Sequence, residues 1–284
     1  MSTATSQARE AFGSRLREIR LDANLTGRVL SSRCGWHFIK VSKLEHGTQN
    51  PSENDIRAWC HACEAEDQLP DLIATVRTIE SMYVEWRRVL RSGMKHGQAA
   101  IIPLYERTKL FRIYEPGLVP GLFQTAEYAS AIIAHVIDFD QLPNDLEEAV
   151  AARMERQRVL DRGDRRFLVV LEEQALRTRV GDAAGVMAGQ LDRLLAVMSR
   201  QRISLGIIPS MGKRHTWASV GFWIFDRHTV HIDTPSAELT ITQRSEISVF
   251  EEKFERHQRS AVYGQQARNL IERVLADLSS GSAT

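Results

Sequence analysis

The sequence has few cysteines and no long apolar run, and each shortage excludes a class of protein. Its 284 residues include only three cysteines, Cys34, Cys60 and Cys63, and this odd number lies within the first quarter of the chain. A disulfide framework is therefore not expected. No apolar run approaches the roughly 20 residues needed to cross a bilayer, and the opening residues MSTATSQARE lack the apolar segment of a signal peptide. We expect a cytoplasmic protein that does not bind a membrane.

The chain also lacks an overall charge imbalance, but its charge is unevenly distributed. The net charge is only +1, and 43% hydrophobic with 26% charged residues is typical of a soluble globular protein. Residues 9–46 contain eight basic and four acidic side chains, so this segment alone carries +4. A local basic excess is the electrostatic pattern of a nucleic-acid-binding surface.

Residues 25–51 contain a helical pattern that ends at a glycine. Val41 and Leu44 are three apart and share one helix face, and Gly47 follows as a left-handed stop, so a helix is predicted from about His37 to His46. With Val41 and Leu44 turned inward, Ile39, Lys40, Ser42 and Lys43 lie on or near the outer side. The two lysines suit contacts with phosphates and base edges.

A shorter helix precedes this one across a tight turn. Val29 and Leu30 are its apolar residues, Thr26 is a suitable N-cap, and the Cys34-Gly35-Trp36 segment supplies a glycine-containing turn. This is the arrangement of a helix-turn-helix that reads DNA. The alternative is a solvated corner of a helical bundle, because two-helix corners are common.

The spacing Cys60-His61-Ala62-Cys63 requires zinc to be considered. Ile56 and Trp59 stand four and one residues before Cys60, and Cys63 follows three residues later, so both cysteines belong to one apolar helix stripe. A structural zinc site needs four ligands, and no second ligand pair is visible. We therefore favour core packing for both thiols and predict no metal or cofactor.

Domain boundaries follow from changes in pattern. Short helices up to about Glu66 predict a compact first domain over residues 1–68, with residues 1–7 frayed. Residues 69–97 predict one long connecting helix with a regular heptad seam, either a dimer interface or a surface that docks on the protein's own domains. The seam residues are Leu72, Val76, Ile79, Tyr83, Trp86 and Leu90.

The second half alternates helical and strand patterns. Short strand-like runs occur at residues 110–114, 167–171, 203–208, 221–225, 230–233 and 239–241. Helices are predicted between them and at the end of the chain, so residues 98–278 form a mixed domain and residues 279–284 a disordered tail. The predicted fold class is α+β, with an all-helical N-terminal domain and a mixed helix and sheet C-terminal domain.

Three motifs in the first domain and several in the second resemble known bacterial regulators. The strings GW at 35–36, SKLEHG at 42–47 and NPS at 50–52 resemble the Cro/repressor-type (Xre) helix-turn-helix. The string YEPGLVPGLFQTAEY at 114–128, with RMERQRVL at 153–160, EEQAL at 172–176, QL at 190–191 and IIP at 207–209, resembles the C-terminal domain of WhiJ-like regulators of filamentous soil bacteria. Together the two resemblances cover nearly the whole chain.

The resemblance implies a sequence-specific, antitoxin-like transcriptional regulator that binds double-stranded DNA as a homodimer. It also implies that the C-terminal domain works with a small protein encoded by an adjacent gene. In the family's geometry the recognition helix begins at Phe38 and Ile39, where polar base-reading residues are usual. These two apolar side chains either contact thymine methyl groups, or Phe38 is buried. The DNA-contacting set is then Thr26, Arg28, His37, Phe38, Ile39, Lys40, Lys43, Gln49 and Asn50.

Two other classes of function remain open. For an enzyme, Glu172 and Glu173 at a strand end could act with His215, His228 or His231, but adjacent carboxylates on a strand point to opposite faces and acids after a strand are usually solvated. No G-x-S-x-G, H-E-x-x-H or phosphate-binding glycine loop is present, so we expect no enzyme. For a sensing or protein-interaction module, Trp217 and Trp223 could line a ligand pocket or a partner groove, or belong to a plain sheet core.

Overall fold

The structure is a computed structural model, and it describes residues 3–85, 90–181 and 184–281. The chain folds into two compact units, and the division lies between Val84 and Glu85. The first unit is helical, and the second combines helices with a mixed β-sheet, so the predicted α+β class is confirmed. A three-residue strand, β1 (Tyr83–Glu85), lies at the division.

The first unit packs its helices around one apolar core. Its central side chain is Trp59, which is fully buried and whose indole N–H donates to the carbonyl of Leu16 at 3.2 Å. The first helix begins at Thr3, which corrects the predicted frayed segment for residues 3–7, whereas residues 1–2 lie outside the described residues. The helices are α1 (Thr3–Asp22), α2 (Gly27–Arg33), α3 (Phe38–Glu45), α4 (Glu53–Cys63) and α5 (Leu69–Met82).

The fourth helix confirms the predicted cysteine environment. Ser52 and Asp55 form a reciprocal capping box at its start, and this box satisfies two backbone amides at the helix N-terminus. Cys60 and Cys63 are both buried within the apolar core of the first unit. Burial raises the pKa of the Cys63 thiol to about 11, so the group is held in its neutral form.

The predicted long connecting helix is wrong in two respects. Helix α5 ends at Met82 and is followed by β1, whose Tyr83 and Val84 are residue types that favour strands. Leu72 and Val76 lie in the core of the first unit, so α5 belongs to that unit, which extends to Val84 and not to residue 68. Leu90 lies in a separate 3-10 turn of the second unit, and Trp86 falls outside the described residues.

A sheet with both parallel and antiparallel pairs organises the second unit. Its six longer strands run in the order β7-β6-β5-β2-β3-β4, with β2, β3 and β4 parallel and the remaining pairs antiparallel. Phe111 on β2 stands in register with Phe167 on β3 and with Phe225 on β5. All six predicted strands are present: β2 (Leu110–Glu115), β3 (Arg166–Glu172), β4 (Ile203–Ile208), β5 (Phe222–Phe225), β6 (Thr229–Asp233) and β7 (Ala237–Ile241).

Helices cover this sheet. The last one runs to Gly281, which corrects the predicted disordered tail for residues 279–281, whereas residues 282–284 lie outside the described residues. No helix in the described ranges is long and apolar enough to span a membrane. The helices are α6 (Met94–Ala100), α7 (Ile102–Arg107), α8 (Ala126–Asp140), α9 (Leu146–Arg156), α10 (Glu173–Arg177), α11 (Ala184–Val197), α12 (Arg244–Ser260) and α13 (Gly264–Gly281).

Candidate nucleic-acid interface

Helices α2 and α3 are joined by the predicted glycine-containing turn. Thr26 is the N-cap of α2, and its hydroxyl accepts a hydrogen bond from the Val29 amide at 3.2 Å. Gly35 has a φ of +68°, a left-handed conformation that favours glycine. The Trp36 amide then donates to the Ser31 carbonyl at 2.7 Å and closes the turn. The helix-turn-helix predicted from the sequence is therefore confirmed.

Helix α3 buries one face and ends where the sequence predicts. Val41 and Leu44 are each only 1% exposed, as their spacing indicated. The helix ends at Glu45, and Gly47 follows with a φ of +64°. A Cβ atom at Gly47 would lie 2.7 Å from the carbonyl carbon of Arg9, so any larger residue would collide with the backbone of α1.

The opposite face of α3 is exposed and apolar at its start. Ile39 is 54% exposed and Phe38 is 47% exposed, so the alternative of a buried Phe38 is wrong. The Phe38 ring rests on Gly27 at the start of α2, where a Cβ atom would approach the ring to 3.0 Å. Lys43, four residues after Ile39, is also exposed and shares its face of the helix.

Lys40 is the residue whose placement differs most from the prediction. Its ammonium lies 2.6 Å from a carboxylate oxygen of Asp55 on α4 and 4.3 Å from the centre of the Trp36 ring. Burial alone would raise the pKa of Asp55, but hydrogen bonds from Lys40 and Ser52 hold it below its usual range. In this structure Lys40 therefore connects α3 to α4.

A buried ion pair that the sequence analysis missed fixes the C-terminal end of α3. The Arg20 guanidinium on α1 makes two hydrogen bonds to the Glu45 carboxylate, at 2.6 and 3.1 Å, and both side chains are 9% exposed. The same guanidinium donates to the Leu25 carbonyl at 2.6 Å. This bidentate pair ties α1, the loop before α2 and α3 together.

The remaining predicted contact residues lie on the surface around these two helices. Of the nine residues in the predicted set, only Lys40 is not exposed. In the part of the chain that the structure describes, neither Arg28 nor Lys43 forms an ion pair, so both cations are available to an anionic partner. The exposed members are Thr26, Arg28, His37, Phe38, Ile39, Lys43, Gln49 and Asn50.

The paired carboxylates of the second unit are buried, which corrects the expectation that they are solvated. Glu172 is 4% exposed and accepts two hydrogen bonds from Arg214, at 2.8 and 2.6 Å, and one from the Tyr114 hydroxyl at 2.9 Å. Glu173 is 7% exposed and accepts hydrogen bonds from the Ser210 amide and hydroxyl. Both carboxylates thus fasten the loop that follows β4.

A buried histidine that the sequence analysis did not identify lies beside this network. His257 on α12 is fully buried, and neither of its ring nitrogens has a hydrogen-bond partner among the residues that the structure describes. Its ring stacks on Tyr114 with centres 3.7 Å apart. Burial lowers the pKa of His257 to about 4, so the ring is neutral at pH 7. Its position in the last turn of an amphipathic helix gave no sequence signal for this environment.

The two tryptophans considered for a ligand pocket, a partner groove or a sheet core have different neighbours. Trp223 stacks on Tyr105 with ring centres 5.9 Å apart, and its indole N–H donates to Glu115 at 2.7 Å. Trp217 is 77% exposed and lies beneath the ammonium of Lys253 at 5.3 Å. Trp223 therefore belongs to an aromatic cluster of the sheet, as the alternative of a plain sheet core predicts, whereas Trp217 lies on the surface.

Comparisons with known proteins identify both parts of the chain. A family model described as a helix-turn-helix domain matches residues 11–72, and one described as a domain of unknown function (DUF5753) matches residues 100–273. No curated protein matches the chain. One solved structure is described as "Structure of TrmBL2, an archaeal chromatin protein, shows a novel mode of DNA binding". It is 12% identical, with a TM-score of 0.33, over 75% of this chain and 70% of that one, and at this level the likeness supports no conclusion.

The two matched regions correspond to the two compact units. The helix-turn-helix match spans α2, the turn and α3, and the larger match contains all six strands from β2 to β7. The larger model covers more than half of the chain. The protein is therefore a helix-turn-helix DNA-binding regulator that belongs to the DUF5753 family.

Proposed function

We propose that the protein is a homodimeric, antitoxin-like transcriptional regulator that binds a specific DNA sequence in its own operon. Its C-terminal domain responds to a small partner protein encoded by an adjacent gene. The observation that carries this proposal is the outer face of α3, where Phe38, Ile39 and Lys43 are exposed on a helix held by two ion pairs. A fixed helix with a free outer face is what major-groove reading requires.

The direct test is fluorescence anisotropy of the full-length protein with DNA from just upstream of its own gene. Scrambled DNA of equal length is measured beside it at two salt concentrations, because phosphate contacts make all DNA binding salt-dependent. We expect the upstream DNA to bind at least about a thousandfold more tightly than the scrambled DNA, which is the low end of the usual range for specific sites. Equal affinity for the two would overturn specific binding.

A matched pair of lysine variants assigns the binding to α3. Lys43→Ala removes an exposed cation that forms no ion pair among the described residues and lies one helical turn after Ile39. We expect it to weaken specific binding by about 1–3 kcal/mol. Lys213→Ala removes an exposed lysine from the second unit and is expected to leave binding unchanged. If both variants bind as tightly as the natural protein, α3 is not the reading helix.

The loop between β4 and β5 supports the proposed role of a partner protein. Met211, Trp217 and Val220 on this loop are 96%, 77% and 55% exposed, and large exposed apolar side chains are typical of interaction surfaces. The loop is anchored by Glu172 and Glu173 and therefore presents these groups from a defined backbone. The exposure of these side chains is compatible with a partner protein that binds reversibly.

Co-expression with the small neighbouring gene product tests this role. We expect the two proteins to co-purify, and Trp217→Ser to abolish co-purification. Phe139→Ser is the control, because Phe139 is 72% exposed but lies on α8. Retention of the partner by Trp217→Ser would remove the loop from the proposed surface.

Small-molecule sensing by the C-terminal domain is a second candidate. It is favoured by the Glu115 carboxylate, which accepts a hydrogen bond from the Trp223 indole and whose pKa burial raises to about 7. It is also favoured by Arg153, which is buried and bonded only to the neutral side chains of Gln98 and Gln124 among the described residues. A rise in Tm with a small molecule alone, lost in Glu115→Gln, would favour sensing over partner binding.

A further inference from the structure

The first two residues of α3 present apolar surface at the place where the helix would enter a DNA groove. Ile39 and Phe38 are both about half exposed, although each is a residue type that normally lies inside. They are exposed because Val41 and Leu44 occupy the face of the helix that packs on the core, which turns Phe38 and Ile39 towards the outside. Ile39 therefore shares the outer face with Lys43, four residues later.

Their positions are fixed by the rest of the first unit. The Phe38 ring rests on Gly27, a residue without a side chain to displace it. The Arg20–Glu45 and Lys40–Asp55 ion pairs hold α3 against α1 and α4. Contacts between apolar groups weaken within about 1 Å of extra separation, so a helix that reads by such contacts has to be held this firmly.

The chemistry at the tip of α3 matches one group in the major groove. The His37 Nδ1 atom accepts a hydrogen bond from the Ile39 amide, and neither Phe38 nor Ile39 has a polar side-chain atom. Hydrogen bonds to base edges are therefore not available from either side chain. The C5 methyl of thymine is the apolar group that base pairs display in the major groove.

We infer that Ile39 and Phe38 determine DNA specificity by contacting thymine methyl groups. Each half-site of the bound DNA then carries A·T pairs opposite the start of α3, and Lys43 contacts a base edge or phosphate one helical turn further along. This inference rests on the proposed DNA-binding function and adds to it the chemical group that is read.

Replacement of thymine by uracil tests the inference, because uracil lacks only the C5 methyl and keeps the same base pairing. The full-length protein first selects its preferred sites from a pool of random-sequence duplex DNA. Each thymine of a selected site is then replaced singly by uracil. We expect about a fourfold loss of affinity at each contacted position, the factor that corresponds to ~0.8 kcal/mol per buried methyl. Replacements outside those positions are expected to have no effect.

A variant of the protein tests whether Ile39 is the residue that contacts the thymine methyl group. Ile39→Ala is expected to weaken binding to the thymine duplex. It is expected to bind thymine and uracil equally at the positions that Ile39 contacts, and to keep the thymine preference at those that Phe38 contacts. Val249→Ala, which shortens an exposed apolar side chain on α12, is the matched control and is expected to keep the full thymine preference. Thermal unfolding of both variants confirms that they fold. Ile39→Ala is preferred to Phe38→Ala because the Phe38 ring also packs on Gly27.

The outcomes separate this inference from the function on which it rests. If the pool yields no preferred sequence, specific DNA binding itself fails and the inference falls with it. If preferred sites are found but uracil binds as well as thymine at every position, DNA binding stands and thymine reading is overturned. If uracil weakens binding equally in the natural protein and in Ile39→Ala at every position, the assignment of methyl reading to Ile39 is overturned.

Discussion

At the scale of single residues, cations of the first unit have two different tasks. Arg20 and Lys40 hold helices together through carboxylates, whereas Arg28 and Lys43 remain exposed for an anionic partner. Formal charge alone does not distinguish the two groups. What distinguishes them is whether the fold places an acidic residue within about 3 Å, and this depends on residues far away in the sequence.

The Arg20–Glu45 ion pair is expected to contribute strongly to the stability of the first unit. Arg20→Leu is expected to lower the free energy of unfolding by about 3–5 kcal/mol, because it leaves the Glu45 carboxylate buried without its counter-charge. Urea denaturation followed by circular dichroism measures the change. The double variant Arg20→Leu/Glu45→Leu is expected to recover most of the loss, since no uncompensated charge remains. A double variant as unstable as the single one would show that the guanidinium acts mainly through packing.

Glu115 makes stability depend on pH in a defined direction. Burial raises its pKa to about 7 in the folded protein, whereas the unfolded chain has the ordinary value near 4.5. The folded state therefore holds a proton that the unfolded state loses between these values, and stability falls as pH rises from about 4.5 to 7. The shift corresponds to about 3 kcal/mol at most.

Comparison with Glu115→Gln isolates this contribution. The variant cannot ionise at this position, so its stability relative to the natural protein is expected to increase between pH 4.5 and pH 7 and then level off. Thermal unfolding at half-unit pH intervals records the difference. A constant difference across this range would mean that Glu115 ionises normally in the folded protein.

Residue positions within one helix were predictable from the sequence, but partners across helices were not. The spacing of Val41 and Leu44 places both on the buried face of α3, and the capping role of Thr26 follows from its residue type and position. Lys40 was placed on the outer side by the same reasoning. Its pairing with Asp55 on α4 depends on tertiary packing, which helical periodicity does not contain.

At the scale of elements, strands were more predictable than the ends of helices. The run at residues 167–171 was expected to be a buried strand, and β3 lies between two parallel neighbours where both of its faces are covered. The heptad spacing after residue 69 continues past Met82, but the helix does not. Apolar periodicity indicates which residues face inward and does not by itself indicate where hydrogen bonding changes from helix to strand.

Helix α5 is therefore expected to stabilise the first unit and not to join two protomers through the predicted seam. Val76 is 3% exposed within that core, and Val76→Ala is expected to lower the free energy of unfolding by about 1–3 kcal/mol through the cavity it leaves. Leu21→Ala is the control, because Leu21 is 53% exposed and surface changes of this kind usually cost less than about 0.5 kcal/mol. Oligomeric state, measured by analytical ultracentrifugation, is expected to be the same for both. If the Val76→Ala variant dissociates into monomers without losing stability, the heptad residues form a dimer interface and this prediction is wrong.

At the scale of the whole molecule, the sequence predicted the two parts but not the order of the strands. The division into a helical first part and a mixed second part, and the six strands themselves, follow from local patterns, whereas the boundary after Val84 does not. The position of β5 beside β2 does not, because it brings together runs more than a hundred residues apart, as in the pairing of Phe111 with Phe225. Such pairing depends on how side chains from distant segments fill one core.

The proposed homodimer makes a prediction about the spacing of DNA half-sites. Two α3 helices related by two-fold symmetry would enter successive major grooves about 34 Å apart, which is one helical turn of DNA. Insertion of five base pairs between the half-sites of a selected site turns one half-site to the opposite face of the duplex. We expect this insertion to weaken binding by more than tenfold, as measured by fluorescence anisotropy. Replacing five central base pairs without changing the spacing is the control and is expected to preserve most of the affinity. If the insertion leaves binding unchanged, each protomer reads its half-site independently and the dimer is not required for recognition.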